Sequence, residues 1–165
     1  MSNEQQKSVT FDMNGYDVVS KALKAILNSY PEIPDGEKIG FSDLDKDSGI
    51  AFYPVSGAIV ESVRGGTYET GDITGHVDAT CQYPFFVVYR AAPRTGNQKI
   101  NIKEWLDGLG RWLERLDSFP ELTDGERTIL SITRQTPAYI NTVTDDGVED
   151  WQISILLRYR HEFDR

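Results

Sequence analysis

The sequence predicts an α+β fold, an antiparallel-dominated sheet with two main helices packed on one side. Three observations predict it. Residues Trp151 to Tyr159 alternate strictly, with Trp151, Ile153, Ile155, Leu157 and Tyr159 on one face and Gln152, Ser154, Leu156, Arg158 and Arg160 on the other, which is the period of a half-buried strand. A strand cannot satisfy its own backbone groups, so this one belongs inside a sheet. Two stretches instead carry a helical period, and the segments between them are short, β-rich and joined by turn residues, so hairpin-like connections outnumber helical crossovers.

In chain order, residues 1–12 read as a flexible lead-in. Asn14 can cap a first helix whose apolar residues Tyr16, Val19, Leu23, Ile26, Leu27 and Tyr30 fall on one face at about 100° per residue. Pro31 stops it, and residues 31–37 form a turn. Ile39 and Phe41, then Ile50, Phe52 and Val55, flank the polar run Ser42 to Gly49 and read as two short strands joined by an acidic turn. Ala58 to Arg64 and His76 to Arg90 are strands, separated by a stretch whose glycines at 65, 66, 71 and 75 mark a long hairpin tip or bulges. In the second of these strands Tyr83, Phe85, Val87 and Tyr89 oppose Pro84, Phe86, Val88 and Arg90. Both faces are largely apolar, so cover is expected on both sides, from helices or from another subunit.

The loop Ala91 to Lys99 is locally basic through Arg94 and Lys99. Asn101 and Glu104 resemble a capping box opening a second helix, in which Ile102, Trp105, Leu106, Leu109, Trp112, Leu113 and Leu116 share a face about 120° wide. Gly108 and Gly110 flank that stripe, and either close approach of a neighbouring backbone or an unoptimised helix would explain them. Arg127 to Gln135 and Ala138 to Val143 read as strands interrupted at Pro137, and Asp145, Asp146 and Gly147 turn into the final strand. No linker divides residues 1–165, so a single domain is expected.

Composition narrows the function. The 165 residues, 39% apolar and 26% charged, suit one globular domain, and 17 basic against 26 acidic residues disfavour general duplex binding. A single cysteine, Cys81, allows no internal disulfide, and no Cys/His cluster has zinc spacing. The polar start MSNEQQK reads as neither a signal peptide nor a lipidation signal, and no stretch approaches roughly 18 apolar residues, so no membrane partner is expected. Cytoplasmic synthesis follows.

Motifs for chemistry are sparse. Asp43, Asp45 and Asp47 suggest a calcium loop, but Ser48 stands where that loop needs Gly and Pro54 where it needs Glu, so a solvated turn is the better reading. His76 and Cys81 lie at an odd offset on one strand and point to opposite faces; Cys81 reads as packing and the histidines, His76 and His161, as surface residues. No Walker, G-x-S-x-G or H-E-x-x-H pattern occurs. No catalytic residue, cofactor or metal is assigned. Arg158 and Arg160 would meet either a partner's acidic residues or cross-strand carboxylates.

Three blocks, Gln82 to Arg90 (QYPFFVVYR), Trp105 to Glu114 (WLDGLGRWLE) and Leu122 to Arg160, resemble the tail terminator family of long-tailed bacteriophages, also called minor capsid proteins in prophages. The resemblance covers the last half of the chain and none of its blocks is a catalytic signature. It implies a structural, non-enzymatic virion protein that forms a ring, usually a hexamer, at the head-proximal end of the tail tube. Its implied partners are its own copies, the major tail tube protein and the head-tail connector, with DNA passing through an acidic lumen without specific binding. Residues placed at a subunit or tube interface are Tyr68, Glu69, Asp72, Phe86, Val88, Arg94, Arg158 and Arg160. The alternatives are another joining protein (stopper or adaptor), a tail tube component, and a ligand-binding or enzymatic α+β domain.

Overall fold

The computed structural model describes residues 16–55, 59–69 and 72–164, and for residues 16, 17, 59, 66–69 and 72–74 the backbone alone. The expected lead-in, the Asn14 cap and Gly71 lie outside the described residues.

The elements run α1 (Tyr16–Leu27), β1 (Ile39–Phe41), β2 (Gly49–Pro54), β3 (Ile59–Glu69), β4 (Asp72–Ala91), α2 (Gly96–Glu114), β5 (Arg127–Arg134), β6 (Tyr139–Val143) and β7 (Glu149–Asp164). Two long antiparallel strands, β4 and β7, form the spine, paired from His76 opposite Asp164 to Ala91 opposite Glu149. The final strand is thus central, as its alternation requires, and it extends beyond Trp151 and Tyr159 at both ends. Each spine strand has two shorter neighbours on its outer side. β2 and β3 pair with opposite ends of β4, and β6 and β5 with opposite ends of β7. The sheet of seven strands is therefore only about five wide, running β1-β2-β4-β7-β5. It is antiparallel except at β1 and β2.

That exception corrects the expected pair of turn-joined strands. β1 pairs in parallel with β2, Ile39 opposite Ile50 and Phe41 opposite Phe52, so residues 42–48 return along the edge instead of reversing in a tight turn. Asn28 sets this up. Its Nδ2 donates to the Ile39 carbonyl at 2.9 Å while its Oδ1 accepts the Ile39 N–H at 2.8 Å. The same residue ends α1 at Leu27, before the expected stop at Pro31, because its side chain completes an edge that the helix has left.

Both helices pack on one face of the sheet. α1 buries Val19, Ala22, Leu23, Ile26 and Leu27, and α2 buries Ile102, Leu106, Leu109 and Leu113. Beneath them lie Phe52, Tyr83, Phe85, Val87 and the whole odd-numbered face of β7, from Trp151 to Tyr159. Burying side chains of this size contributes about 1.5–3 kcal/mol each before entropy is counted, so this face is where the fold is stabilised. One polar pair inside it is satisfied within the chain: Tyr83 Oη and Ser20 Oγ share a hydrogen bond of 2.6 Å.

α2 begins six residues, nearly two turns, earlier than expected. Thr95 is its N-cap, accepting the Gln98 N–H, while Gln98 Oε1 accepts the N–H groups of Arg94 and Thr95. Asn101 and Glu104 are interior residues, and Lys99 belongs to the helix instead of a basic loop. The stretch from Gly65 to Gly75, expected as a tip or bulges, is mostly strand. β3 and β4 pair as far as Glu69 opposite Asp72, with a bulge between Gly65 and Thr67.

Candidate interaction surface

Among the described residues the helices leave one face of the spine bare, and what that face carries follows from strand register. Along β4 the outward residues are Asp78, Thr80, Gln82, Pro84, Phe86, Val88 and Arg90; opposite them on β7 stand Glu162, Arg160, Arg158, Leu156, Ser154, Gln152 and Asp150. The middle of this surface is apolar, with Tyr53, Pro84, Phe86 and Leu156 half-buried and adjacent, and its β2 and β6 end closes on Gln152 and the Arg90–Asp150 pair. Near the β3 and β5 end it is a ladder of ion pairs.

Of the cover expected on both sides of the Tyr83 to Val88 strand, the described helices supply one side. Val88, between Ala51 and Gln152, is 7% exposed and buried within the subunit. Phe86, between Tyr53 and Ser154, keeps part of its ring at the surface.

The two arginines of β7 have partners within the chain. Arg158 donates to both carboxylate oxygens of Glu61, at 2.9 and 2.8 Å, and Arg160 to both of Asp78, at 2.8 and 2.7 Å. Forked arginine–carboxylate bonds of this kind hold each carboxylate charged. The Arg158 hydrogen bond, followed by that of Gln82, lowers the Glu61 pKa, and Arg160 lowers that of Asp78. Glu61 reaches Arg158 because the β3 ladder shifts between Val60 and Ser62, a bulge that turns the residue onto the bare face. At the other end Arg90 grips Asp150 at 2.7 and 2.9 Å and donates to the Asp45 carbonyl, which ties the acidic 42–48 loop to the spine.

The predicted interface residues therefore do not form one patch. Phe86, Val88, Arg158 and Arg160 share the bare face. Tyr68, Glu69 and Asp72 lie in the β3–β4 hairpin, roughly 45 Å along β4 from Phe86 at about 3.3 Å per residue, and their side chains lie outside the described residues. Arg94 is exposed beyond the opposite end of β4, where its N–H caps α2 through Gln98. Sequence reasoning missed Tyr53, brought beside Phe86 by register, and the exposed apolar edges: Val60 and Val63 on β3, Leu130 on β5, and Tyr139, Ile140 and Val143 on β6. In β6 the missed signal was an uncharged β-branched run.

The residues considered for chemistry are placed apart. Cys81 is buried among the core residues, and burial raises its thiol pKa. His76 is exposed on the bare face; His161 is half-buried on the other, stacked at 4.4 Å on Phe163 and 3.0 Å from Glu126. Among the described residues no group of three or more His, Cys, Asp and Glu side chains is placed to hold a metal, and no helix is long and apolar enough to cross a membrane. No known family model matches the chain, and no curated protein matches it.

Proposed function

We propose that this chain is a structural virion protein of the tail-terminator type. Its copies close into a ring, a hexamer on the resemblance, at the head-proximal end of a phage tail tube. The ring ends tube polymerisation and presents a surface to the head-tail connector, with no reaction catalysed. The observation that carries the reading is the bare face of the β4·β7 spine, where Tyr53, Pro84, Phe86 and Leu156 form an apolar strip that the chain's own helices leave unpacked. β4 contains one of the three blocks that resemble the family, QYPFFVVYR, and the Leu122 to Arg160 segment takes in most of β7.

The physical account is as follows. An apolar strip beside ordered charges suits subunit burial with a defined register, since the strip supplies area and the ion pairs penalise misalignment. A head-to-tail contact that closes gives a ring. A formal net charge of −9 repels a polyanion, so DNA would pass through the lumen without being held.

Light scattering of the protein with and without the major tail tube protein, read together with negative-stain images, tests this. Rings seated on one end of each tube are expected. Stacked rings or filaments of this chain alone would favour a tube component, and binding to the connector without effect on tubes would favour a stopper or adaptor.

A further inference from the structure

The β3–β4 hairpin leaves the sheet at a marked point. The described part of β7 reaches no further than His76, and among the described residues Thr67, Tyr68 and Glu69 pair with Thr74, Ile73 and Asp72 without a third strand. Gly65 and Gly75, at φ of 75° and 89°, sit at the root on the two strands. A Cβ on Gly65 would stand 2.5 Å from the His76 carbonyl oxygen, so only glycine allows this approach. A two-stranded ribbon is marginally stable in water, so its hold on the body is set at its root.

His76 occupies that root. Its Nδ1 lies 2.9 Å from Asp164 Oδ1 and its Nε2 3.0 Å from Glu162 Oε2. A carboxylate only accepts, so both ring nitrogens must carry protons, and the ring that fits here is the imidazolium. The other charges facing it are Asp78 on β4, Arg160 on β7, which bonds Asp78 and lies 3.3 Å from Glu162, and Arg64 on β3, opposite Asp78 in register. Two guanidiniums thus meet three carboxylates, and the imidazolium supplies the third positive charge. Once it deprotonates, a nitrogen lone pair faces a carboxylate oxygen and the cluster is left with a net negative charge.

We propose that His76, Glu162 and Asp164 form a proton-dependent latch that ties the end of β7 to β4 at the root of the β3–β4 hairpin when His76 is protonated, and lets that end of β7 open when it is not. The latch concerns contacts within one chain and goes beyond the terminator reading. The hydrogen bond to Asp164, then that to Glu162, raises the His76 pKa above the ordinary 6.5, with desolvation opposing weakly. A raised folded-state value sets the sign: the latch contributes fully below pH 6.5 and is lost as pH rises through the raised value.

The test is a nuclear magnetic resonance titration of the full chain from about pH 5 to pH 9, with hydrogen-exchange protection of the Val77 and Phe163 amides followed in parallel. His76 should titrate above its ordinary value, and protection should fall about two- to fivefold across that titration, the scale of an exposed ion pair. In the Glu162→Gln, Asp164→Asn double variant the titration should return to the ordinary value, and in His76→Gln the protection should no longer follow pH. Titration of His76 at or below its ordinary value in the native chain would overturn the latch, as would protection that follows pH equally in the native chain and His76→Gln.

Discussion

Gly110 shows how one missing side chain sets the distance between α2 and the sheet. A Cβ there would lie 2.4 and 2.6 Å from Cδ and Cγ of Arg134 and 3.2 Å from Cδ1 of Ile153. The approach is made by side chains, not by the neighbouring backbone that the sequence suggested. Arg134 cannot swing away freely, because its guanidinium is forked onto Glu114 at 3.0 and 2.8 Å. Gly110→Ala should therefore destabilise by about 1–3 kcal/mol despite a helix-propensity gain of about 1 kcal/mol, measured by urea unfolding. Gly108, whose Cβ would meet the Tyr30 hydroxyl at 2.9 Å and the Arg111 guanidinium at 3.7 Å, both ends of flexible side chains, should tolerate alanine better.

Asp107 is the other residue on which that packing depends. Buried on α2, it accepts the Ala138 N–H at 2.8 Å and the Lys103 ammonium at 2.6 Å, joining the helix to the start of β6. Burial works to raise its pKa, but the bonds from Lys103 and Ala138 outweigh it and the net shift is downward. Asp107→Ala leaves the Ala138 N–H unpaired and should cost about 1–3 kcal/mol. For Asp107→Asn the sign follows from the lowered value: the native advantage is present above pH 3.8 and lost as pH falls through the folded-state pKa, so the two unfolding curves should converge in acid.

At the scale of elements, α2 tests the capping assignment. Thr95→Ala should cost about 1 kcal/mol in thermal or urea unfolding, whereas Asn101→Ala, inside the helix and exposed, should be neutral or slightly stabilising. The reverse ranking would restore the start read from sequence. That start was misread because Thr95-x-x-Gln98 and Asn101-x-x-Glu104 have the same form, six residues apart, and Gly96 disguises the first turn. The apolar stripes of α1 and α2 and the alternation of β7 were legible because each is a local period that one buried face imposes. The parallel pairing of β1 with β2 was not, since a strand of three residues carries no period and its register rests on Asn28, eleven positions upstream of Ile39.

In the whole molecule, the α+β class with helices on one side was legible, but the character of the bare face was only half so. Phe86 and Val88 are apolar neighbours on the same face, yet one is half-buried and the other buried, a difference that no local pattern in the sequence shows. The partner of Arg158, Glu61, depended on a bulge in β3 that no local pattern announces. If the bare face joins subunits, Phe86→Ser should lower intrinsic stability by only about 1 kcal/mol, as for a partly exposed strand position, while abolishing ring formation by light scattering.

The central claim is that this chain ends a tube. The direct measurement is the length distribution of tubes assembled from the tail tube protein at increasing ratios of this protein, scored in negative stain. The account predicts tubes that shorten as the ratio rises, each capped at one end, with Phe86→Ser leaving lengths unchanged. Tubes whose lengths and ends do not respond to the native protein would contradict it.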